Sequence, residues 1–300
     1  MNAKHIQTKF EAYLLTEKRV SSNTLSSYKR DIEQFIHFLT KMNFDLFSLT
    51  SNDLKKFIHY LYSLKLTARS IARKISTLKT FFSYLNLHFN IKNSAKELYI
   101  PKIEKKLPTY LSKDEVQMIL SYTEKDISAL GIRNSIMLYL LYASGMRVSE
   151  LINLNVHDIN FETGFINIVG KGGKQRMIPV PFAMIDLLKN YILSLQNNFF
   201  IHKNNITYVF PIIYGKKVKP LSRQSCWMIL KKLCMQAGIK KSISPHQLRH
   251  SFATHMLEKG VDLRSLQVLL GHENINTVQI YTHIESSHLR IIYDKKHPRS

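Results

Sequence analysis

Ser244-Pro245-His246-Gln247-Leu248-Arg249-His250 is a helix start written in capping chemistry. Ser244 is a good N-cap, Pro245 suits a first helical position that needs no backbone N–H, and Gln247 completes a capping box. His246 and Arg249, three residues apart, then share one face of the first turn, where backbone N–H groups already favour an anion. Taken alone, an HxxR pattern in a chain with 13 histidines is more often a solvated helix start than a site. Its weight comes from what lies on either side.

Downstream, Gly271-His272 follows the apolar run Leu266 to Leu270. Gly271 is placed to end a helix in the left-handed conformation, leaving His272 at a sharp corner. Nine residues on, after a cap at Asn276, Tyr281 closes the short helical stretch Thr277-Val278-Gln279-Ile280-Tyr281. Upstream, Ala143-Ser144-Gly145-Met146-Arg147-Val148-Ser149-Glu150-Leu151 breaks an apolar helix at Gly145 and opens the next one at Arg147. Glu150, three residues later, can reach back to the Arg147 guanidinium. Between these motifs, Phe165-Ile166-Asn167-Ile168-Val169 alternates as a strand, and a second strand covers Gln175 to Val180. The hairpin turn joining them, Gly170-Lys171-Gly172-Gly173-Lys174, sets Lys171 among glycines that let a backbone approach a ligand closely. Each feature has an ordinary reading as well: a surface ion pair, a solvated turn lysine, a packed tyrosine among 15.

Together they do not. In order and spacing, Arg147, Lys171, His246, Arg249, His272 and Tyr281 match the catalytic set of the tyrosine recombinases, and the surrounding text, SGMRVSEL, GKGGKQR, SPHQLRHSFATHML and LLGHENINTVQIYTH, resembles that family too. The resemblance runs over essentially the whole chain and is nearest to the Xer recombinases, down to the closing His-Pro-Arg of residues 297–299. It implies a site-specific DNA recombinase whose nucleophile is Tyr281. Arg147 and Arg249 would offer planar forks to the non-bridging oxygens of a phosphodiester, and His272 a further hydrogen bond. A tyrosine hydroxyl is protonated at neutral pH, and His246 would either take its proton or only orient the phosphate. Lys171 resembles the family's general acid for the departing 5′-oxygen. The implied intermediate is a 3′-phosphotyrosyl enzyme that stores the energy of the cut bond, so no ATP, metal or other cofactor is expected.

The same resemblance implies a partner and an assembly. The partner is double-stranded DNA, held between the N-terminal helices and the catalytic domain. Arg223 and Gln224, just after a helix start, would contact bases or only phosphates, and Lys174 and Arg73 join them as DNA-binding residues. Residues 284–300 resemble a segment that docks on a neighbouring subunit. A tetramer on two duplexes is therefore expected, of this chain alone or with a paralogous recombinase. Resolution of chromosome dimers at a dif-like site, under a DNA translocase of the FtsK type and in the cytoplasm at the nucleoid, is the expected role. An integrase of a mobile element, a nicking–closing enzyme of the type IB topoisomerase kind, or a non-catalytic DNA-binding protein of the same fold are the alternatives.

Composition agrees with such a partner. Forty-three Lys and Arg against 21 Asp and Glu leave a formal charge of +22 over 300 residues, and both halves carry the excess. Contacts to a polyanion release its condensed counterions, which is where such a charge is used. The first hundred residues are all helical in pattern, with apolar stripes such as Leu25, Tyr28, Ile32, Phe35, Leu39 and Ile71, Ile75, Leu78, Phe82, Leu85. Lys55, Lys56, Arg69, Arg73, Lys74 and Lys79 lie between the stripes. Periodicity fades from Asn86 to Tyr110, a stretch holding Pro101, Pro108 and a charged run that reads as an extended linker, and resumes at a capping box opened by Ser112. The expected fold is mainly α with a small antiparallel β-sheet. An all-helical DNA-binding domain over 1–100 and a linker over 101–110 precede an α+β catalytic domain over 111–300. The longest apolar run, Ile136 to Ala143, is too short to span a bilayer, and residues 1–20 lack the apolar core of a secretory signal. Cys226 and Cys234, eight apart in a helical stretch, stand about 12 Å apart along its axis, too far for a disulfide.

Overall fold

The computed structural model describes residues 3–103, 110–170, 173, 175–198, 207–214, 217–241, 243–271, 293, 294 and 296. It divides into two compact units, residues 1–106 and 107–300.

The first unit is built from four helices: α1 (Ala3–Thr16), α2 (Ser22–Lys41), α3 (Ser51–Ser63) and α4 (Ala68–Phe89). Ser21, Thr50 and Thr67 cap α2, α3 and α4 by accepting a hydrogen bond from the third helical N–H, and Asp53 closes a capping box on α3. The core is aromatic. Phe35 meets Phe57 edge-on at 5.1 Å, and Phe10 meets Phe81 at 5.0 Å, arrangements that add to plain area burial. The segment after Asn86 departs from the extended linker expected there. Helix α4 continues to Phe89 and ends at Asn90 in the left-handed conformation. Ala95 and Leu98 are then buried against the helices, and Ser94 donates to the Leu49 carbonyl at 2.7 Å. A short irregular segment tied down by backbone hydrogen bonds leaves no periodic trace.

A charged cluster also lies inside this unit. Asp31 on α2 is buried and accepts from Lys74 at 2.8 Å and from the Thr77 hydroxyl at 3.0 Å, and it is also paired with Arg73. Lys74, read from sequence as one of the cations between the apolar stripes, is therefore a buried partner of Asp31.

The second unit surrounds α6 (Ala129–Ser144), whose residues from Ile136 to Ser144 are nearly all buried. It packs against α5 (Lys113–Thr123), α8 (Phe182–Asn198) and α10 (Pro245–Glu258). The apolar run Ile136 to Ala143 marks only its second half; Ser128 caps its start by accepting from the Gly131 N–H. Helix α7 (Val148–Ile152) follows at once, then a three-stranded antiparallel sheet in the order β1 (Ile159–Asn160), β2 (Phe165–Val169), β3 (Gln175–Pro179). Ile166 pairs with Ile178 and Ile168 with Arg176, so Arg176 occupies the buried face of the sheet. A second hairpin, β4 (Pro211–Tyr214) and β5 (Lys217–Pro220), precedes α9 (Arg223–Gln236), in which Cys226 and Cys234 are both buried and free. Helix α11 (Leu263–Leu270) completes the described helices of eight residues or more. Beyond it, Tyr293 is fully buried and donates to the Ala143 carbonyl at 2.7 Å. Among the described residues, no helix is long and apolar enough to cross a membrane.

Removing one partner of a buried ion pair leaves the other charge without compensation. Asp31→Ala should therefore destabilise the first unit by about 3–5 kcal/mol, most of it through Lys74 rather than the half-exposed Arg73. Urea unfolding of the full chain measures this as an earlier transition of the helical N-terminal unit.

Candidate active site

Two glycines fix the frame. Gly145 ends α6 with φ +58°, and a Cβ there would lie 2.3 Å from Phe252. Gly271 ends α11 with φ +64°, and a Cβ there would lie 3.0 Å from Arg176 Cδ. Both left-handed conformations favour a residue without a side chain; Gly145 lacks the room for one, and at Gly271 the Arg176 side chain would have to give way.

Between these corners three arginines converge. Arg147 is the N-cap of α7; its backbone N–H donates to Glu150 Oε2 at 2.7 Å and its Nη1 to Oε1 at 2.9 Å. Glu150 does reach back, as the spacing allows. Arg176, from the buried face of β3, approaches the same carboxylate from the other side, Nη1 to Oε1 at 2.9 Å and Nη2 to Oε2 at 2.8 Å. Arg249, on α10, is 7% exposed and donates from Nη1 to the Gly145 carbonyl at 2.8 Å. All three then meet the end of α11. Arg176 Nε donates to the Leu269 carbonyl at 3.1 Å, Arg249 Nη2 to Leu270 at 2.6 Å, and Arg147 Nη2 to Gly271 at 3.1 Å. Three successive carbonyls, which a helix end leaves without intrahelical partners, are each taken by one guanidinium.

Electrostatics follow from that geometry. Burial pushes the Glu150 carboxyl up, but Arg176 and Arg147 outweigh it and hold the group below the usual carboxylate value, so it is ionised at neutral pH. Burial first, and Arg147 beside it second, pull Arg249 down to about 10, still protonated at neutral pH. Arg147 remains the more open of the group, with a side chain 39% exposed.

The sequence-derived residues fall in three groups. Arg147 and Arg249 come together. His246 stands exposed in the first turn of α10, whereas Arg249 is turned inward onto carbonyls, so the two do not share an open face as their spacing suggested. Arg223 and Gln224 are exposed in the first turn of α9, capped by Ser222, and Arg73 is part-exposed while tied to Asp31. Lys171, Lys174, His272 and Tyr281 lie outside the described residues, as does the cap at Asn276; the pair Val169 and Gln175 bounds the Lys171 turn. Arg176 was missed. Its signal was present, because it falls in phase with Ile178 and Val180 on the apolar side of an alternating strand, where a cation requires a buried partner.

The sequence pattern of the Phage integrase family matches residues 109–288, and that of the Phage integrase N-terminal SAM-like domain matches residues 8–87. The chain belongs to the phage integrase family of tyrosine recombinases. As a member it is a tyrosine-type site-specific DNA recombinase, mainly α with small antiparallel sheets. Its similarity to Xer proteins is extensive. Tyrosine recombinase XerD of Staphylococcus aureus (strain Mu50) is 39% identical over 302 residues, spanning 98% of this chain and 100% of the relative. The XerD of Oceanobacillus iheyensis is 40% identical over 300 residues, 97% of each chain. Among solved structures, XerH site-specific recombinase bound to difH in a pre-cleavage complex has a TM-score of 0.67 at 26% identity, covering 88% of this chain and 78% of that one. The Tn1549 transposon integrase shares the fold at 18% identity, with a TM-score of 0.68 over 96% and 98% of the two chains.

Gly271→Ala should damage this site without touching any charge. The left-handed backbone costs roughly 1–2 kcal/mol for a residue with a Cβ, and the new methyl meets the Arg176 side chain. DNA cleavage by this variant should slow by about tenfold or more while binding stays near parental, as read from covalent adduct formation beside gel-shift affinity.

Proposed function

We propose that this recombinase cuts one DNA strand at a time through Tyr281 and exchanges strands between two dif-like sites, resolving chromosome dimers. The observation that carries the reading is the paired fork of Arg147 and Arg249 at the end of α11, one partly open and one buried. A phosphodiester is anionic and gains further negative charge as a nucleophile adds. Fixed guanidinium groups in a water-poor site stabilise that charge without reorganising.

In this reading the Tyr281 oxygen attacks the phosphorus and gives up its proton, with His246 as acceptor or as a phosphate contact. The bond to the 5′-oxygen breaks, and Lys171 protonates that oxygen. A 3′-phosphotyrosyl link and a free 5′-hydroxyl result. A 5′-hydroxyl from the second duplex then attacks the phosphotyrosine and releases the tyrosine, so the number of phosphoester bonds is conserved. His272 adds a hydrogen bond to the phosphoryl group. We assign DNA clamping to residues 1–100, joined through 101–110 to a catalytic domain over 111–300. Arg73, Lys174, Arg223 and Gln224 contact the duplex.

Near-complete alignment with XerD, and a related XerH solved on difH, support the dif-like target. We further propose a tetramer on two duplexes, of this chain alone or with a paralogous recombinase, working in the cytoplasm at the nucleoid under a DNA translocase of the FtsK type.

DNA retained covalently by the protein in its own cell, sequenced after denaturation, should be enriched at one dif-like site near the replication terminus. Tyr281→Phe should retain none while binding that site normally, since it removes one hydroxyl and leaves the basic surface intact. An adduct that survives this substitution assigns the nucleophile elsewhere.

Lys171 admits a sharper test. General acids typically contribute about a hundred- to ten-thousand-fold, and Lys171→Ala should lose on that order with ordinary DNA. Sulfur in place of the scissile 5′-bridging oxygen leaves as a stable thiolate and needs no proton. The variant should then cleave nearly as fast as the parent, whereas Arg147→Ala should not recover. Equal rescue of both, or of neither, makes Lys171 a phosphate contact.

A further inference from the structure

Glu150 is shared. Each of its oxygens accepts two hydrogen bonds, one from Arg147 and one from Arg176. Arg176 is 8% exposed, lies on the apolar face of β3 and makes its other bond to the Leu269 carbonyl. It therefore has no open side from which to touch DNA. Its cost to the fold is considerable, because a guanidinium is expensive to bury and replacing a buried ion pair by apolar residues is often neutral or favourable.

We propose that Arg176 is a positioning residue of the strand-transfer reaction, which occupies Glu150 so that Arg147 keeps its charge for the scissile phosphate. The inference rests on the reading of Arg147 and Arg249 as phosphate ligands. Among the described residues, with Arg176 present, three guanidinium groups stand against one carboxylate, leaving two positive charges. That matches a phosphodiester that becomes doubly negative as the tyrosine oxygen adds. Without Arg176, the carboxylate has Arg147 as its remaining partner among the described residues. Arg147 is then drawn into a closed two-pronged pair with Glu150, and one positive charge is lost from the phosphate site. The same side chain binds β3, which follows the Lys171 turn, to the end of α11, which leads on to His272.

The test uses the full chain and a nicked duplex of its own site, reading adduct formation and DNA affinity together. Arg176→Met should bind as the parent does and form adduct about a hundredfold more slowly, the usual size for losing one charge-stabilising group. Adding Glu150→Gln to it should recover about tenfold, because residues in one charge network couple strongly and a neutral amide no longer captures Arg147. A merely structural Arg176 predicts the reverse, a double variant as slow as the single one or slower. That result, or parental cleavage by Arg176→Met, overturns the proposal. Should Arg176→Met fail to bind DNA, Arg176→Gln with and without Glu150→Gln is read on the same two outcomes. Arg147→Ala separates the premises: if it cleaves normally, the phosphate reading fails; if it is inactive while Arg176→Met cleaves as fast as the parent, only the role of Arg176 fails.

Discussion

Three arginines on three consecutive carbonyls at the end of one helix are the contact on which the rest of the second unit depends. A helix terminus presents partial negative charge and unpaired oxygens, and cations there are favourable. Here the cations come from distant elements, the N-cap of α7, the strand β3 and the helix α10. Their mutual repulsion is offset by Glu150 and by those carbonyls. The arrangement thus solves two problems at once. It satisfies a buried helix end, and it gathers like charges that would otherwise separate.

That coupling leaves little latitude at the two helix breaks that frame the cluster. Gly145 must be glycine because its carbonyl serves Arg249 while Phe252 fills the space a side chain would take. The Gly271 position favours glycine because its backbone is left-handed and the Arg176 side chain, 3.0 Å from a Cβ there, would have to give way. The two helix breaks are therefore parts of the arginine cluster as much as they are punctuation. The core beneath agrees: Tyr142 on α6 pairs its hydroxyl with His255 Nδ1 on α10 at 2.9 Å, locking the two helices whose ends carry Gly145 and Arg249.

Much of this was legible in the sequence, and what was not has physical reasons. Ser112 and Ser244 announced their helices because capping is local, decided within four residues. Gly145 and Gly271 announced their breaks for the same reason, and Glu150 could be assigned to Arg147 because they are a helical turn apart. Arg176 belongs to a contact 26 residues away in the chain from Glu150 and 93 from Leu269, a pairing that only strand register and tertiary packing create. Asp31 with Lys74 is a second case. The stripe pattern marks Lys74 as a surface cation, and only the approach of α2 to α4 puts it inside. The segment over Ala95 and Leu98 has no period at all, because single irregular residues were enough to cover the end of an aromatic core.

The inward turn of Arg249 is the most instructive departure. Spacing alone places His246 and Arg249 side by side at a helix N-terminus, a ready anion site. Tertiary structure instead spends both Nη groups of Arg249 on the Gly145 and Leu270 carbonyls, fixing the plane of its guanidinium by two bonds from opposite sides. In the proposed role the phosphate would meet a group whose orientation has already been set, the entropy of ordering it having been lost on folding rather than at each encounter. Arg147, tied to Glu150 and Gly271 yet 39% exposed, is held less tightly. One arginine is fixed by the core and one is left partly open beside it; if the pair takes the scissile phosphate, as proposed, the buried group needs no reordering and only the open one has to adjust.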